Sequence, residues 1–224
     1  ILSNFLLSLI KAKINFLAMV DEKLNKLLQP VLIPIAQNLI KLKVKANFVT
    51  YTGFFFGVLC AYFIINSMFI TALLFLFLNR FCDGLDGAIA RLEGETDIGA
   101  FYDIVFDFIF YFLFPISFIF LDISNSFHIC FLLLSFVATQ SSFLASAWII
   151  EKNKIRVVQK QKKSFFYSGG ITEGFETIVC FVLMLTFYEY ISYISYIFGI
   201  MCWITFFMRI IFIKKLLENF TKID

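Results

Sequence analysis

What most constrains this chain is its series of apolar segments, at about 49–66, 68–82, 100–121, 127–150, 174–188 and 191–213. A hydrocarbon core about 30 Å thick is crossed by roughly 20 helical residues. Most of these segments are therefore long enough to span a bilayer and too long for strands. The second is apolar only as far as Phe81 before carboxylates begin, so it reads as a helix emerging at the membrane surface. Composition agrees: 61% of residues are hydrophobic and mean hydropathy is +0.89, against about 45–50% apolar residues in soluble domains. Disordered, collagenous and disulfide-stapled classes are excluded. The expected fold is all-α and integral to the membrane, with six transmembrane helices.

Basic residues test that layout, because Lys and Arg concentrate in cytoplasmic segments. All 19 fall in four stretches: 1–48, 80–98, 151–171 and 209–224. The connections near Asn66, Asp122 to Ser126 and Glu189 have none. An even number of spans, with both termini on the cytoplasmic side of the cell membrane, follows.

Before the first span, Leu2, Phe5, Leu6, Leu9, Ile10, Ile14, Leu17, Val20, Leu24, Leu27 and Leu28 recur at helical spacing. This pattern predicts a juxtamembrane amphipathic helix lying on the bilayer. A signal peptide would carry its positive charge ahead of the apolar run, whereas Lys11 and Lys13 follow it. Pro30 and Pro34 are expected to break or kink the helix ahead of a second short amphipathic stretch ending at Lys41, Lys43 and Lys45. The chain thus divides into interfacial helices over 1–48 and a transmembrane catalytic domain over 49–224. The five cysteines are scattered and read as lipid- or core-facing thiols. The single histidine, His128, excludes zinc sites needing two imidazoles and is expected at an exposed loop edge.

Seven of the 16 acidic residues lie between 83 and 107. Asp83 and Asp86 are spaced i, i+3, and Asp103 and Asp107 i, i+4, so each pair shares a helix face. An antiparallel hairpin would bring both pairs to similar depth. Ionisable groups at membrane depth are costly and mark function. Four facing carboxylates repel unless cations compensate, and Arg80 and Arg91 are too few to neutralise them. Oxygen-only ligands select a hard ion, Mg²⁺ or Mn²⁺ in its place, and two such ions would balance the four charges. Gly84, Gly87, Ala88 and Ala90 leave room for a helix backbone or a bulky substrate. Glu93, Glu95 and Asp97 read as solvated charges of the connecting loop, Leu92 to Ile98.

The run Asp83-Gly84-Leu85-Asp86-Gly87-Ala88-Ile89-Ala90-Arg91, followed by Gly99, Asp103 and Asp107, resembles the signature of CDP-alcohol phosphotransferases, D-x-x-D-G-x-x-A-R-x(n)-G-x-x-x-D-x-x-x-D. Seven residues separate Arg91 from Gly99, where the commonest members have eight, and the chain also resembles a less characterised bacterial branch. The resemblance implies six transmembrane helices preceded by an amphipathic helix, usually in a homodimer. It implies transfer from a CDP-linked lipid, CDP-diacylglycerol, to an alcohol, with release of CMP. Carried over, it places Asp83, Asp86, Asp103 and Asp107 on the metals, with Asp107 also the base for the acceptor hydroxyl. Gly87 and Ala90 would make room for the nucleotide, and Arg91 and Gly99 would flank the site. Asn47 and Thr50 resemble the family's N-x-x-T element, with Ala46 where a proline often stands.

Glycerol 3-phosphate is the first acceptor expected, with inositol phosphate, serine or phosphatidylglycerol as alternatives. Membrane lipids, and no nucleic acid, are the expected surroundings. The segment from Lys162 to Thr177 reads as an acceptor pocket or, in its basic part from Lys152 to Lys163, as an anchor near anionic headgroups. Thr172 is read as the cap of a helix whose first turn holds Glu173 and Glu176. Gln140, Ser141 and Ser142 are expected to make helix contacts. A rival reading is a divalent-cation transporter with the Asp quartet as ion path.

Overall fold

The computed structural model describes residues 28–154 and 170–220, and those are helical apart from short connections. Helix α1 covers 28–41, α2 Ala46–Ile65, α3 Phe69–Glu93, α4 Asp97–Leu121, α5 Ser126–Lys152, α6 Gly174–Thr186 and α7 Ile191–Phe220. Two 3₁₀ turns, Ile123–Asn125 and Tyr188–Tyr190, lead into α5 and α7. Helix α2, α4, α5 with its leading turn, and α7 with its leading turn are each long and apolar enough to cross a bilayer. The other two expected spans meet one criterion each. Helix α3 has 25 residues but carries charge through its last third; α6 is apolar but has only 13 residues. The chain is an all-α integral membrane protein.

The helix expected over 2–28 lies outside the described residues except for Leu28, as does 155–169 of the basic stretch and loop. Pro30 and Pro34 do not interrupt α1: both lie on its exposed side, while Leu32 and Ala36 are buried. The helix ends where Lys43 takes a left-handed conformation, φ 60°. The Val44 amide then reaches back to the Leu39 carbonyl at 3.0 Å, the hydrogen bond that closes a Schellman turn. Leu32, Ala36 and Leu39 pack on Val49 of α2 and on Cys82, Leu85, Ala88 and Ile89 of α3. Helix α1 is thereby docked across the charged end of the α2–α3 hairpin.

Helix α2 packs against α3 and α4, α5 packs against α7 and α4, and α6 lies against α3 and α7. The close approach of α2 depends on two glycines. A Cβ on Gly53 would stand 2.9 Å from Cys82 Cβ, and one on Gly57 2.7 Å from the Phe110 ring. Gly53-x-x-x-Gly57 is the small-residue spacing that brings membrane helices together. The core is aromatic: Phe110, Phe114, Phe118 and Phe181 are almost fully buried, with Phe114 and Phe181 stacked at 3.9 Å between centroids. His128 is buried in the first turn of α5 rather than exposed. That turn faces α7, where the Tyr196 ring lies 6.1 Å away, and His128 Nε2 has no hydrogen-bond partner among the described residues.

Candidate active site

Helix α3 runs past the apolar stretch as far as Glu93, and α4 starts at Asp97, so the expected seven-residue loop contracts to three residues. Gly94, at φ 111°, makes the turn. Thr96 then caps α4, its hydroxyl accepting from the Gly99 amide at 3.2 Å. Extending both helices is what carries the two Asp pairs on rigid backbone. Glu93, Glu95 and Asp97 are exposed, as expected.

Asp83, Asp86 and Asp103 each offer one carboxylate oxygen within 4.8 Å of the other two. Oxygen ligands of Mg²⁺ lie about 2.0–2.1 Å from the ion, hence roughly 3–4 Å apart. Small side-chain rotations would close the set, so the residues fit a hard divalent ion. Asp86 is buried, Asp83 half-buried and Asp103 exposed, which opens the cluster on the Asp103 side. Thr50, Gly53, Phe54, Asn79, Arg80, Phe106 and Asp107 complete a small pocket around these three.

Asp107 lines that pocket but stands apart from the three-carboxylate cluster. Its Oδ1 accepts from Arg80 Nη2 at 2.7 Å, and its Oδ2 from Arg80 Nη1 at 3.5 Å and from the Tyr111 hydroxyl at 3.4 Å. Arg80 also lies 3.7 Å from Asp83. Its Nε donates to Asn79 Oδ1 at 2.8 Å, and Asn79 Nδ2 donates to the Gly53 carbonyl at 2.8 Å. The rings of Phe110 and Tyr111 cover the guanidinium at 5.4 and 5.8 Å. Charge counting treated Arg80 and Arg91 alike, whereas Arg80 sits among the carboxylates and Arg91 is exposed, its side chain lying over Gly87. Asn79, Arg80 and Tyr111 were not singled out as site residues. The signal for Arg80 was present: an arginine in a membrane-depth helix needs a partner.

The remaining expected site residues separate. Thr50 lines the carboxylate pocket beside Asp86, its hydroxyl donating to the Ala46 carbonyl at 3.2 Å. Asn47 lies one turn earlier, in a shallower recess with Lys43, Lys45, Phe48 and Tyr51. A Cβ on Gly99 would meet Asn47 Oδ1 at 3.2 Å, so this glycine lets the starts of α2 and α4 touch. Gly87, Ala90, Arg91 and Gly99 do not line the carboxylate pocket. Gly84 and Ala88 face helix α1, with Leu32 3.2 Å from where a Gly84 Cβ would be, so they make room for a helix rather than for a substrate.

A second polar group lies between α5, α6 and α7. Arg209, 7% exposed, donates to the Thr139 carbonyl at 2.5 Å and to Ser142 Oγ at 3.1 Å. Ser142 therefore makes the helix contact expected of it. Thr172 does not cap α6: its amide and that of Ile171 donate to Thr205 Oγ1 at 3.0 and 2.9 Å. Glu173 is the cap, in a reciprocal box with Glu176, whose Oε2 accepts from the Glu173 amide at 3.1 Å. The Tyr111 hydroxyl comes close to the start of α6, 3.8 Å from where a Gly174 Cβ would be.

The chain is 40% identical over 193 residues to the inner membrane protein YnjF of Escherichia coli (strain K12), covering 86% of this chain and 94% of that one. Its fold matches the crystal structure of Mycobacterium tuberculosis phosphatidylinositol phosphate synthase (PgsA1) with CDP-DAG bound, at a TM-score of 0.61 and 18% identity, over 82% of this chain and 94% of that one. The model of the CDP-alcohol phosphatidyltransferase family matches residues 43–211. With that match spanning all of the helices that build the carboxylate pocket, the chain belongs to the CDP-alcohol phosphatidyltransferase family.

Proposed function

We propose that this protein transfers a phosphatidyl group from CDP-diacylglycerol to an alcohol, with glycerol 3-phosphate the first acceptor to test, and releases CMP. The observation that carries the reading is the convergence of Asp83, Asp86 and Asp103 within 4.8 Å at the end of a membrane hairpin. A lipid-linked pyrophosphate must react near the membrane surface, because its tails stay in the hydrocarbon. Asp83, Asp86 and Asp103 would hold Mg²⁺, or Mn²⁺ in its place. Such an ion supplies charge neutralisation for the pyrophosphate and for the departing CMP. A second ion, expected from charge balance, would be held with Asp107.

In the proposed reaction the acceptor oxygen bonds to the phosphatidyl phosphorus as the bond to the CMP oxygen breaks. The hydroxyl proton passes to Asp107. Thr50 lies beside Asp86, and Asn47, Gly87, Ala90, Arg91 and Gly99 form the nucleotide side. The acceptor approaches from the α5–α7 side, where Arg209 would face its polar or anionic group. Residues 1–48 would form an interfacial unit ahead of a catalytic domain over 49–224. In this reading the protein is a homodimer of the inner membrane, with both termini and the carboxylate pocket facing the cytoplasm.

The test is CMP release from CDP-diacylglycerol in nanodiscs with a panel of acceptors: glycerol 3-phosphate, inositol phosphate, serine and phosphatidylglycerol. One acceptor should elicit CMP release that stops with excess EDTA and returns with Mg²⁺. Silence with every acceptor would defeat the reading and favour the transporter. Against that rival, the described acidic residues of α5, α6 and α7 are Glu151, Glu176 and Glu218, all near helix ends. They form no ladder through the bilayer.

A further inference from the structure

Helix α6 is too short for its place in the bundle. Its 13 residues, Gly174–Thr186, rise about 20 Å, against a hydrocarbon core of about 30 Å. Its last residues adjoin the Tyr188–Tyr190 turn that leads into α7, so α6 starts about 10 Å short of the boundary at the carboxylate end. Thr205 of α7 gives an independent measure of that depth. It stands 14 residues past Ile191, where α7 begins, about 21 Å along the helix. Its hydroxyl receives the amides of Ile171 and Thr172 at 2.9 and 3.0 Å, so the non-helical segment 170–173 is held inside the membrane rather than at its surface. Gly170 is required there, because a Cβ on it would overlap the Thr205 methyl. Irregular backbone is tolerated at such depth only where protein buries it or water reaches it. Both conditions occur along this stretch: Gly170 and Thr172 are buried, while Gly174 is exposed on a helix end that the Tyr111 hydroxyl approaches.

Polar side chains collect at the same level. Thr139 and Ser142 of α5 meet Arg209 of α7, and Glu173 bears on Arg209 electrostatically. Glu176 keeps a buried carboxylate oxygen, Oε1, with no hydrogen-bond partner among the described residues. The aspartates lie at matching depth: Asp83 is 14 residues past Phe69, the start of α3, and Asp107 is 14 residues before Leu121, the end of α4. Each is therefore about 21 Å from the far end of its helix. Resting on the phosphatidyltransferase reading, we propose that the short α6 leaves a water-accessible funnel at its start, between Tyr111 and Arg209, and that the acceptor descends it from the aqueous phase as a water-soluble alcohol. An alcohol carried on acyl chains, such as phosphatidylglycerol, would have to enter sideways and draw its tails past a guanidinium and two carboxylates, at the cost of desolvating them. A soluble alcohol brings hydroxyl or charged groups that replace the water there, and it supplies donors to the Glu176 oxygen. The lipid donor and the soluble acceptor thus reach one depth by separate routes.

The experiment places single cysteines in protein stripped of its five native thiols and held in nanodiscs, and follows their reaction with a charged, water-soluble methanethiosulfonate alongside CMP release. The control is Phe207→Cys, on an exposed position of α7 level with Thr205 and Arg209. Gly174→Cys should react at least about tenfold faster than this control, because the reagent attacks a thiolate and hydrocarbon does not support one. Ser142→Cys, nearly the same size as the native residue, should react like Gly174→Cys and covers the case in which that variant does not elute as folded protein. Labelling at Gly174→Cys should also stop CMP release. Of the acceptor panel, a soluble member (glycerol 3-phosphate, inositol phosphate or serine) should elicit release, and phosphatidylglycerol should not. Equal labelling of the funnel and control positions, or CMP release with phosphatidylglycerol and no soluble acceptor, would overturn the proposal. Absence of CMP release with every acceptor would defeat the phosphatidyltransferase reading instead, while the labelling ratio would still decide whether water reaches the start of α6.

Discussion

The molecule places an arginine inside each half of its bundle, Arg80 half-buried and Arg209 buried, and the two are held in opposite ways. Arg80 of α3 is clamped between carboxylates, at 2.7 Å from Asp107 and 3.7 Å from Asp83. Arg209 of α7 donates to a backbone carbonyl and a serine hydroxyl of α5, with Glu173 acting on it electrostatically. The α2–α4 half is thus rich in negative charge and suited to cations. The α5–α7 half holds Arg209 against a backbone carbonyl and a hydroxyl, with the Glu173 carboxylate nearby. The Tyr111 hydroxyl, bonded to Asp107, lies on the side of the first half that faces α6.

The sharpest way to break this contrast is to remove charge from the first half. Asp86→Asn should lower turnover by at least about 100-fold and weaken Mn²⁺ binding in a direct titration; wild-type rates would show that the buried carboxylate is not needed. Asp107→Asn keeps the shape but cannot take a proton. Its kcat should fall about 100-fold, the lower end of what a general base contributes, with CDP-lipid affinity, measured separately, largely retained. In the second half, Arg209→Gln should raise KM for an anionic acceptor about tenfold, the scale of one charge-assisted hydrogen bond, and leave KM for the CDP-lipid within about twofold. Equal changes in both constants would show that the halves are not specialised. Gly57→Ala should cost about 1–3 kcal/mol by thermal unfolding in detergent, because its Cβ would overlap Phe110. Glu95→Gln, in the exposed turn, should change turnover by less than about twofold.

The helices and the carboxylates could be read from the chain because each is written in a local period: long apolar runs, and Asp at i, i+3 or i, i+4. What escaped depends on which neighbour a side chain meets. Arg80 was counted as a charge, since nothing in its sequence neighbourhood tells that Asp107 will lie across the hairpin from it. His128 was expected outside, being polar and near a connection, but the start of α5 faces α7 and buries it. Thr172 looked like a cap by residue type; Thr205, 33 positions away, competes for the backbone around it. Pro30 and Pro34 carried a strong local prior for a break, and α1 accommodates both four residues apart on its exposed side. Gly53 and Gly57 were legible in their spacing but were passed over in favour of the glycines near the aspartates.

Gly84 illustrates what that last choice conceals. It sits inside the aspartate signature, one residue from Asp83, yet Leu32 of helix α1 occupies the space its side chain would need. A larger side chain at position 84 would therefore press on a residue about fifty places upstream, outside the carboxylate run. Among related sequences, the size of the residue at 84 should vary inversely with that at 32, and lineages that have lost α1 should be free to replace the glycine without losing the reaction.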